Sequence, residues 1–357
     1  MNFNKKAAWL FLSLYGLLCI FIFFINEFNP NQIGYLALLS YLIPPIIVLN
    51  LILLIYYLFN KKIYFFVPLI LLTIALPYYK SSVGYKIKST TFHTNSLSVL
   101  SFNSSFFSMN KVFSKAYLDP NQNLQVENIK SGLIKENADI ICIQEFFDDN
   151  KNALHYNNID YFIKNGYFVS FHGNERHPNG TRWGMAILSK YRIINSQPIL
   201  LSENGFNGAF YCDITVGSDT LRILNIHLES LEAKQKIKHI RFTLTEMDRI
   251  SKLHLDQLEK IIGEVENSPY RVIIAGDFNQ TQFSYHYKLM KRNFMNAFEE
   301  GGFDINSTVK IFSLPFIKID HIFYTGSPLG VVKFQILKNP NLYTSDHKPV
   351  KAVFTIL

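Results

Sequence analysis

The texture of the chain changes once, near residue 90. Before that point residues 7–26 (AAWLFLSLYGLLCIFIFFIN) run without a charge, residues 34–59 do the same, and residues 63–79 form a shorter third run. The first two are long enough for a helix rising 1.5 Å per residue to cross a hydrocarbon core of ~30 Å. Pro44-Pro45 interrupt the second run, and Pro68 and Pro77 fall in the third, so kinks are expected there. Residues 1–80 therefore read as a membrane anchor of about three transmembrane helices, and the Lys-, Ser- and Thr-containing stretch 81–95 as a linker. From 96 to 357 short β-rich runs alternate with polar loops. Leu97–Phe102, Asp139–Ile143, Trp183–Leu188, Leu221–Ile226, Arg271–Ala275, Ile319–Tyr324 and Lys351–Ile356 read as strands. Between them Val126–Glu136 puts Val126, Ile129, Leu133 and Ile134 on one helical face. Lys234–Val265 repeats apolar residues at near-helical spacing, and Pro269 ends the pattern. Mixed strands and helices over this length predict one α/β or α+β domain with a substantial core.

Charge sharpens the membrane reading. The net charge is +8, but Lys5, Lys6, Lys61, Lys62, Lys80, Lys86 and Lys88 against the single acid Glu27 account for six of the eight. The remainder of the chain is nearly neutral, so the basic pI marks the flanks of apolar spans and not a polyanion-binding face. A cleaved signal peptide would need a small-residue site after the first run, which instead leads into Asn26-Glu27-Phe28-Asn29-Pro30. Lysines before span one and between spans two and three place those segments in the cytoplasm, and three crossings then put the domain outside a bacterial-type inner or plasma membrane. Two crossings would leave it inside. Three cysteines exclude a disulfide-stapled scaffold. Cys142 and Cys212 fall in apolar strands as buried thiols or as one disulfide.

The chemistry is concentrated where strands stop. Leu97–Phe102 runs into Asn103, Ile140–Ile143 into Gln144-Glu145, Leu221–Ile226 into His227, and Val272–Ala275 into Gly276-Asp277-Phe278-Asn279. Ile319 precedes Asp320-His321, and Thr344 leads into Ser345-Asp346-His347. Loops at the ends of a rigid sheet are where catalytic groups are displayed. Carboxylates, amides and imidazoles without a cysteine or lysine nucleophile suit metal-assisted hydrolysis, because oxygen ligands hold a hard cation such as Mg²⁺ and imidazoles handle protons. Each residue also has a plainer role. Asp277 with Asn279 reads as an Asx turn, Glu145 with Asp148 and Asp149 as a solvated acidic loop, Asn103 as a turn residue, and His227 and His347 as hydrogen-bonded core histidines.

At these motifs the chain resembles the endonuclease/exonuclease/phosphatase superfamily, which includes DNase I, abasic-site exonucleases and sphingomyelinases. The resemblance is carried by SFN (101–103), QE (144–145), NIHLES (225–230), GDFN (276–279), IDHIF (319–323) and SDHKPV (345–350), in the family's order. It implies a four-layer sandwich, two packed mixed β-sheets flanked by helices, and a divalent-metal phosphoesterase using Mg²⁺ or Mn²⁺. By the same resemblance Glu145 is the principal metal ligand with Asn103 beside it and Asp346 in support. Asp277 orients or deprotonates the attacking water, and Asn279 holds a phosphoryl oxygen or that water. Asp320 pairs with His347, which contacts the scissile phosphate. His227 matches the second catalytic histidine of the DNase-like and sphingomyelinase-like branches. Glu175 is a candidate partner for His227, and Arg182 a candidate phosphate contact.

The substrate is then a phosphoester, with lipid and nucleic acid both open. DNA-cutting members often carry a basic residue shortly after the metal-binding glutamate, whereas Phe146, Phe147, Asp148 and Asp149 follow Glu145 here. Two other readings stand beside the anchored phosphoesterase: an extracytoplasmic nonspecific nuclease, and an inactive binding or scaffold module with the same fold.

Overall fold

The computed structural model describes residues 3–60, 62–86, 96–107, 120–149, 156–174, 181–201, 207–230, 240–310 and 315–356. Glu175, His93, His155, His177, His239, Lys61, Lys88, most of the 81–95 linker and the start of the expected helix at Lys234 lie outside them. The chain forms two compact units.

One unit gathers the N-terminal helices with Leu231–Leu255 and Gln282–Leu289. Helix α1 (Phe3–Phe24) is followed by a single turn α2 (Pro30–Ile33), a 3₁₀ stretch Gly34–Leu42, α3 (Ile43–Phe59), α4 (Phe66–Ile74) and α5 (Leu76–Val83). Asn29 caps α2 by accepting from the Asn31 N–H at 2.8 Å, with Pro30 at the first helical position. Pro44 and Pro45 stand in the first turn of α3, where a missing N–H costs nothing, so the second run changes helix type there and does not kink in mid-helix. The third run is broken: α4 and α5 meet at 55° around Ala75. Pro77 supplies the cause, because it disfavours helical geometry at Leu76 and removes a donor. Lys6–Glu27 and Pro30–Phe59 are long and apolar enough to cross a membrane, and the bent pair makes a third candidate. Leu10, Phe11, Leu14, Leu17 and Leu18 of α1 are exposed, as are Leu51, Ile52 and Ile55 of α3, the surface expected of membrane-associated helices.

The other unit is the sandwich. Its elements are β1 (Ser96–Asn103), α6 (Pro120–Lys135), β2 (Ile140–Asp149), α7 (Asn158–Lys164), β3 (Phe168–Asn174), β4 (Thr181–Ser189), β5 (Ile193–Leu201), β6 (Gly208–Val216) and β7 (Asp219–His227). Then come α8 (Ile240–Glu266) and α9 (Tyr285–Asn293), whose residues up to Leu255 and Leu289 belong to the first unit, with β8 (Arg271–Asp277), β9 (Met295–Asn296), α10 (Ala297–Gly301), β10 (Asp320–Tyr324), β11 (Leu329–Ile336) and β12 (Val350–Ile356). The first sheet has the order β11-β12-β1-β2-β4-β3, and the second β5-β6-β7-β8-β10-β9. Each is mixed, with one parallel pair, β1/β2 and β7/β8. Parallel neighbours need a crossover, and α6 and α8 supply it. Alternation sorts the side chains. Leu97, Val99, Ile140 and Cys142 enter the layer between the sheets with Cys212, Ile223 and Ile273, while Leu100, Phe102, Ile141 and Ile143 face outward onto Val126, Ile129 and Leu133 of α6. This is the expected four-layer fold. Cys142 and Cys212 are free thiols in the interlayer core, not a disulfide.

Candidate active site

The second sheet brings its polar strand ends together by register alone. His227 is paired with Asp277 across the parallel β7/β8 ladder, and Asp277 with Asp320 across the antiparallel β8/β10 ladder. All three are buried. The two oxygens of Asp277 have separate partners. Oδ1 accepts from the Asn279 N–H at 2.8 Å, an Asx turn that holds Asn279 at φ +49°, and Asn279 Nδ2 donates to Leu228 O at 2.9 Å. Oδ2 lies 3.7 Å from His227 Nε2 and 3.6 Å from His347 Nε2. The Asx turn and the convergent site are therefore the same structure.

The first sheet contributes through irregular backbone. Glu145 does not begin a loop, as its motif suggests, but sits in a bulge inside β2: pairing with β4 shifts register between Ile143 and Phe146, and Glu145 takes φ +50°. Ser104 fixes the bulge by donating from N to Gln144 O at 3.0 Å and from Oγ to Glu145 O at 2.8 Å. Asp148 and Asp149, for which a solvated acidic loop was the plainer alternative, are buried in the continuation of the strand. Asp148 receives both Nε and Nη2 of Arg182, at 3.0 and 2.8 Å, so this face of the guanidinium is committed to an ion pair within the sheet.

Asn103 joins the sheets. Its Nδ2 donates to Glu145 Oε1 and to Asp277 Oδ2, each at 3.1 Å, and its carbonyl accepts from Ser345 Oγ at 2.7 Å. Glu145 Oε1 is also 3.8 Å from His227 Nε2. His347 Nδ1 meets both oxygens of Asp320 at 3.0 and 3.1 Å, and its N–H donates to Ser345 Oγ at 3.0 Å. Burial opposes charge on His347, but Asp320, Asp277 and Asp346 outweigh it and raise its pKa to about 10. Asp346 is exposed on the rim, its carboxylate accepting from Ser105 Oγ.

Several supporting residues escaped the sequence reading. Thr308 Oγ1 accepts from the backbone N–H of Ile319 and Asp320, at 3.0 and 3.3 Å, and no motif marks it. Asn225 lies inside NIHLES, yet its role is invisible in one dimension. Its Oδ1 accepts from Gln144 Nε2 at 2.7 Å, and its Nδ2 donates to Ile143 O and Ala186 O at 2.9 Å, tying the second sheet to the first beneath Glu145. The remaining described histidines serve elsewhere. His321 packs edge-on against Phe278 and reaches Gln280 O, and His172 faces Ser196 and Phe210.

The donor set fits a hard divalent cation. Glu145, Asn103, Asp277 and Asp346 offer oxygen, and burial raises the pKa of Glu145, as expected where a carboxylate awaits positive charge. Its side chain keeps 20% exposure against 1% for Asp277, so an ion held there could retain water ligands. Asp277, Asp320 and His347 also present ligand atoms within 4.8 Å of one another. Metal in that trio would break the Asp320–His347 pair, so the Glu145 side is the better fit.

A family model described as the Endonuclease/Exonuclease/phosphatase family matches residues 100–347. The chain belongs to this family. Its members hydrolyse phosphoester bonds, and this chain is a hydrolase of that class. Residues 5–82 match a domain family of unknown function. No curated protein shows significant sequence similarity to the chain. Solved structures share its fold at low identity. The human Nocturnin catalytic domain with bound sulfate is 18% identical over 76% of this chain and 96% of its own, with a TM-score of 0.53. An endonuclease/exonuclease/phosphatase from Beutenbergia cavernae is 13% identical over 73% and 72%, at 0.54. A humanized D. rerio TDP2 is 18% identical over 73% and 99%, at 0.51.

Proposed function

We propose that this protein is a membrane-anchored, divalent-metal-dependent phosphoesterase that cleaves a phosphodiester or phosphomonoester by attack of water. The observation that carries the reading is the convergence of His227, Asp277 and Asp320, adjacent across three strands, on the Asn103–Glu145 pair of the opposite sheet. Glu145 and Asn103, with Asp346 in support, would hold Mg²⁺ or Mn²⁺. Bound there, the ion polarises the phosphoryl group and neutralises its charge. Asp277 Oδ2 accepts a proton from the attacking water or orients it, and Asn279 steadies the water or a phosphoryl oxygen. His347, kept protonated by the carboxylates around it, donates from Nε2 to the phosphoryl group while Asp320 accepts from Nδ1 and fixes the orientation of the ring. His227, facing both Glu145 and Asp277, supplies the second imidazole. Positioning and charge neutralisation carry phosphoryl transfer, so a nucleophilic side chain is not needed. The similar solved structures hold sulfate in Nocturnin and a single-stranded DNA product in D. rerio TDP2, ligands compatible with phosphoester chemistry.

The lysine pattern around the spans puts the domain on the extracytoplasmic side. A C-terminal alkaline phosphatase fusion tests this, because the tag forms its disulfides and becomes active only outside the cytoplasm: an active tag is expected, and an expressed but inactive tag would reverse the topology. The enzymatic reading is tested on the purified full-length chain in detergent micelles, with bis-p-nitrophenyl phosphate, p-nitrophenyl phosphate and plasmid DNA, in Mg²⁺, Mn²⁺ or EDTA. Metal-dependent turnover lost in Glu145→Ala and His347→Ala is expected. No turnover on any substrate with either ion would favour the scaffold reading.

A further inference from the structure

We propose that the substrate is a phosphoester carried by the membrane itself, a lipid headgroup at the bilayer surface; the inference rests on the phosphoesterase reading above. Two segments that flank the site are tied to chain that emerges from the apolar helices.

The first tie is the loop before β10. The backbone after α5 pairs with it: Gly84 bridges Phe303, and the Asp304 N–H donates to Val83 O at 2.9 Å. The fit admits only glycine, because a Cβ at Gly84 would lie 2.2 Å from Gly302 O, and Gly84 has φ +65°. Lys318, two residues before Asp320, donates its Nζ to Ser82 O. From this junction the loop runs directly to the chemistry. Thr308 holds the backbone N–H of Asp320, and Val309 bridges His347. At the junction Tyr85, Phe303 and Ile305 are 66%, 63% and 53% exposed. Large apolar side chains presented together beside the end of a membrane-associated helix suit insertion at a lipid–water interface, where an aromatic belt is favourable.

The second tie follows Asn279. Phe283 is buried among Cys19, Ile22 and Phe23 of α1, Ile43 of α3, Leu71 of α4 and Ala75 just after it. Its carbonyl accepts from Asn26 Nδ2 at 2.9 Å, and Lys288 pairs with Glu27. Asn26 and Glu27 end the first candidate span, where a helix that crosses a bilayer would meet its surface. Asn279 is four residues from Phe283, so the covalent chain limits their Cα separation to about 14 Å. The reaction needs no reagent beyond water: its oxygen bonds to phosphorus, one P–O ester bond breaks, and the leaving alcohol takes up a proton.

The test reconstitutes the full-length chain in vesicles of phosphatidylglycerol, phosphatidylethanolamine and phosphatidylcholine with Mg²⁺. Release of headgroup products is measured beside turnover of bis-p-nitrophenyl phosphate and plasmid DNA added from outside. Lipid turnover that follows the surface mole fraction of one phospholipid is expected. Phe303→Asp combined with Ile305→Asp, both at exposed positions, should cut it at least tenfold while bis-p-nitrophenyl phosphate turnover stays within twofold. Intact turnover of the soluble diester without any lipid product overturns the lipid inference and leaves the phosphoesterase reading standing. Plasmid cleavage faster than lipid cleavage replaces it with a nucleic-acid substrate. Equal loss on lipid and soluble diester in the double variant removes the bilayer-docking role of this patch. Failure on all substrates overturns both readings.

Discussion

The two sheets meet at one site but build their halves of it differently. The second sheet delivers His227, Asp277 and Asp320 as direct partners across regular ladders, with ordinary strand geometry up to the point where Asn279 turns. The first sheet delivers Glu145 from a bulge at φ +50°, and Asn103 is followed by Ser105, Phe106 and Phe107, all with positive φ. Positive φ in bulky residues costs on the order of 1–3 kcal/mol each and persists only where the surroundings over-determine it. Here Phe107 is buried against Phe146, Phe106 meets the edge of Trp183, and Ser105 holds both Ser345 and Asp346. The difference separates two tasks. Proton-handling groups need fixed spacing from one another, which a ladder provides. A cation site needs oxygen atoms turned toward one point, which a regular pleat does not offer.

The largest effect should come from setting the two halves against each other. Glu145→Gln and Asp277→Asn are each expected to lower kcat by about 10³-fold. Raising Mg²⁺ should recover part of the Glu145→Gln loss and none of the Asp277→Asn loss. Equal rescue of both variants would mean that the sheets do not divide the work. Asp320→Asn is next, with a loss of about 10²-fold in kcat at nearly constant KM, because His347 loses its orienting partner but keeps its place. A matching rise in KM would mark Asp320 as a structural residue only.

These outcomes bear on how much could be read from sequence. The second sheet was legible because its chemistry lies at the ends of strong apolar runs: Val272–Ala275 stops at Gly276-Asp277, and Leu221–Ile226 stops at His227. The first sheet was legible in motif but not in geometry. QE read as the end of a strand, whereas β2 continues to Asp149 because Phe146 and Phe147 regain pairing with Gly184 and Trp183 beyond the bulge. Tertiary packing, not local pattern, carries the strand across that irregularity. The same holds for β3, β5, β6 and β11, whose polar interruptions hid them, and for Arg182, whose partner Asp148 is distant in sequence. Thr308 and the Asn225 tie depend on contacts that no spacing encodes.

A smaller effect tests that tie. Asn225→Ala removes the acceptor for Gln144 and the donor to Ile143 and Ala186 carbonyls, all buried. A loss of about 2–3 kcal/mol in stability is expected from the unsatisfied groups. It should be accompanied by weaker metal binding, read as a smaller metal-induced rise in Tm, because the tie lies beneath the Glu145 bulge. Loss of stability with an unchanged metal-induced shift would show that the bulge holds its form without help from the second sheet.

The smallest effect concerns pH and falls on the second sheet. His321 alternates with Asp320 along β10, and its ring packs against Phe278 at 5.5 Å and Phe323 at 5.8 Å. Burial depresses its pKa to about 4, against the opposing pull of the Gln280 carbonyl. Between pH 6.5 and 4 the unfolded chain therefore binds a proton at this residue that the folded chain does not. By linkage its contribution to stability is present above pH 6.5 and is lost as the pH falls toward 4. His321→Phe keeps an aromatic ring between those neighbours and removes the proton-binding group. Its Tm should fall less steeply over that window, by on the order of 3 °C at the acid end, in melts of the full chain in detergent. Parallel melting curves for wild type and variant would mean that the acid sensitivity of the fold comes from other groups. A shallower slope would place it in β10, the strand whose first residue, Asp320, orients His347.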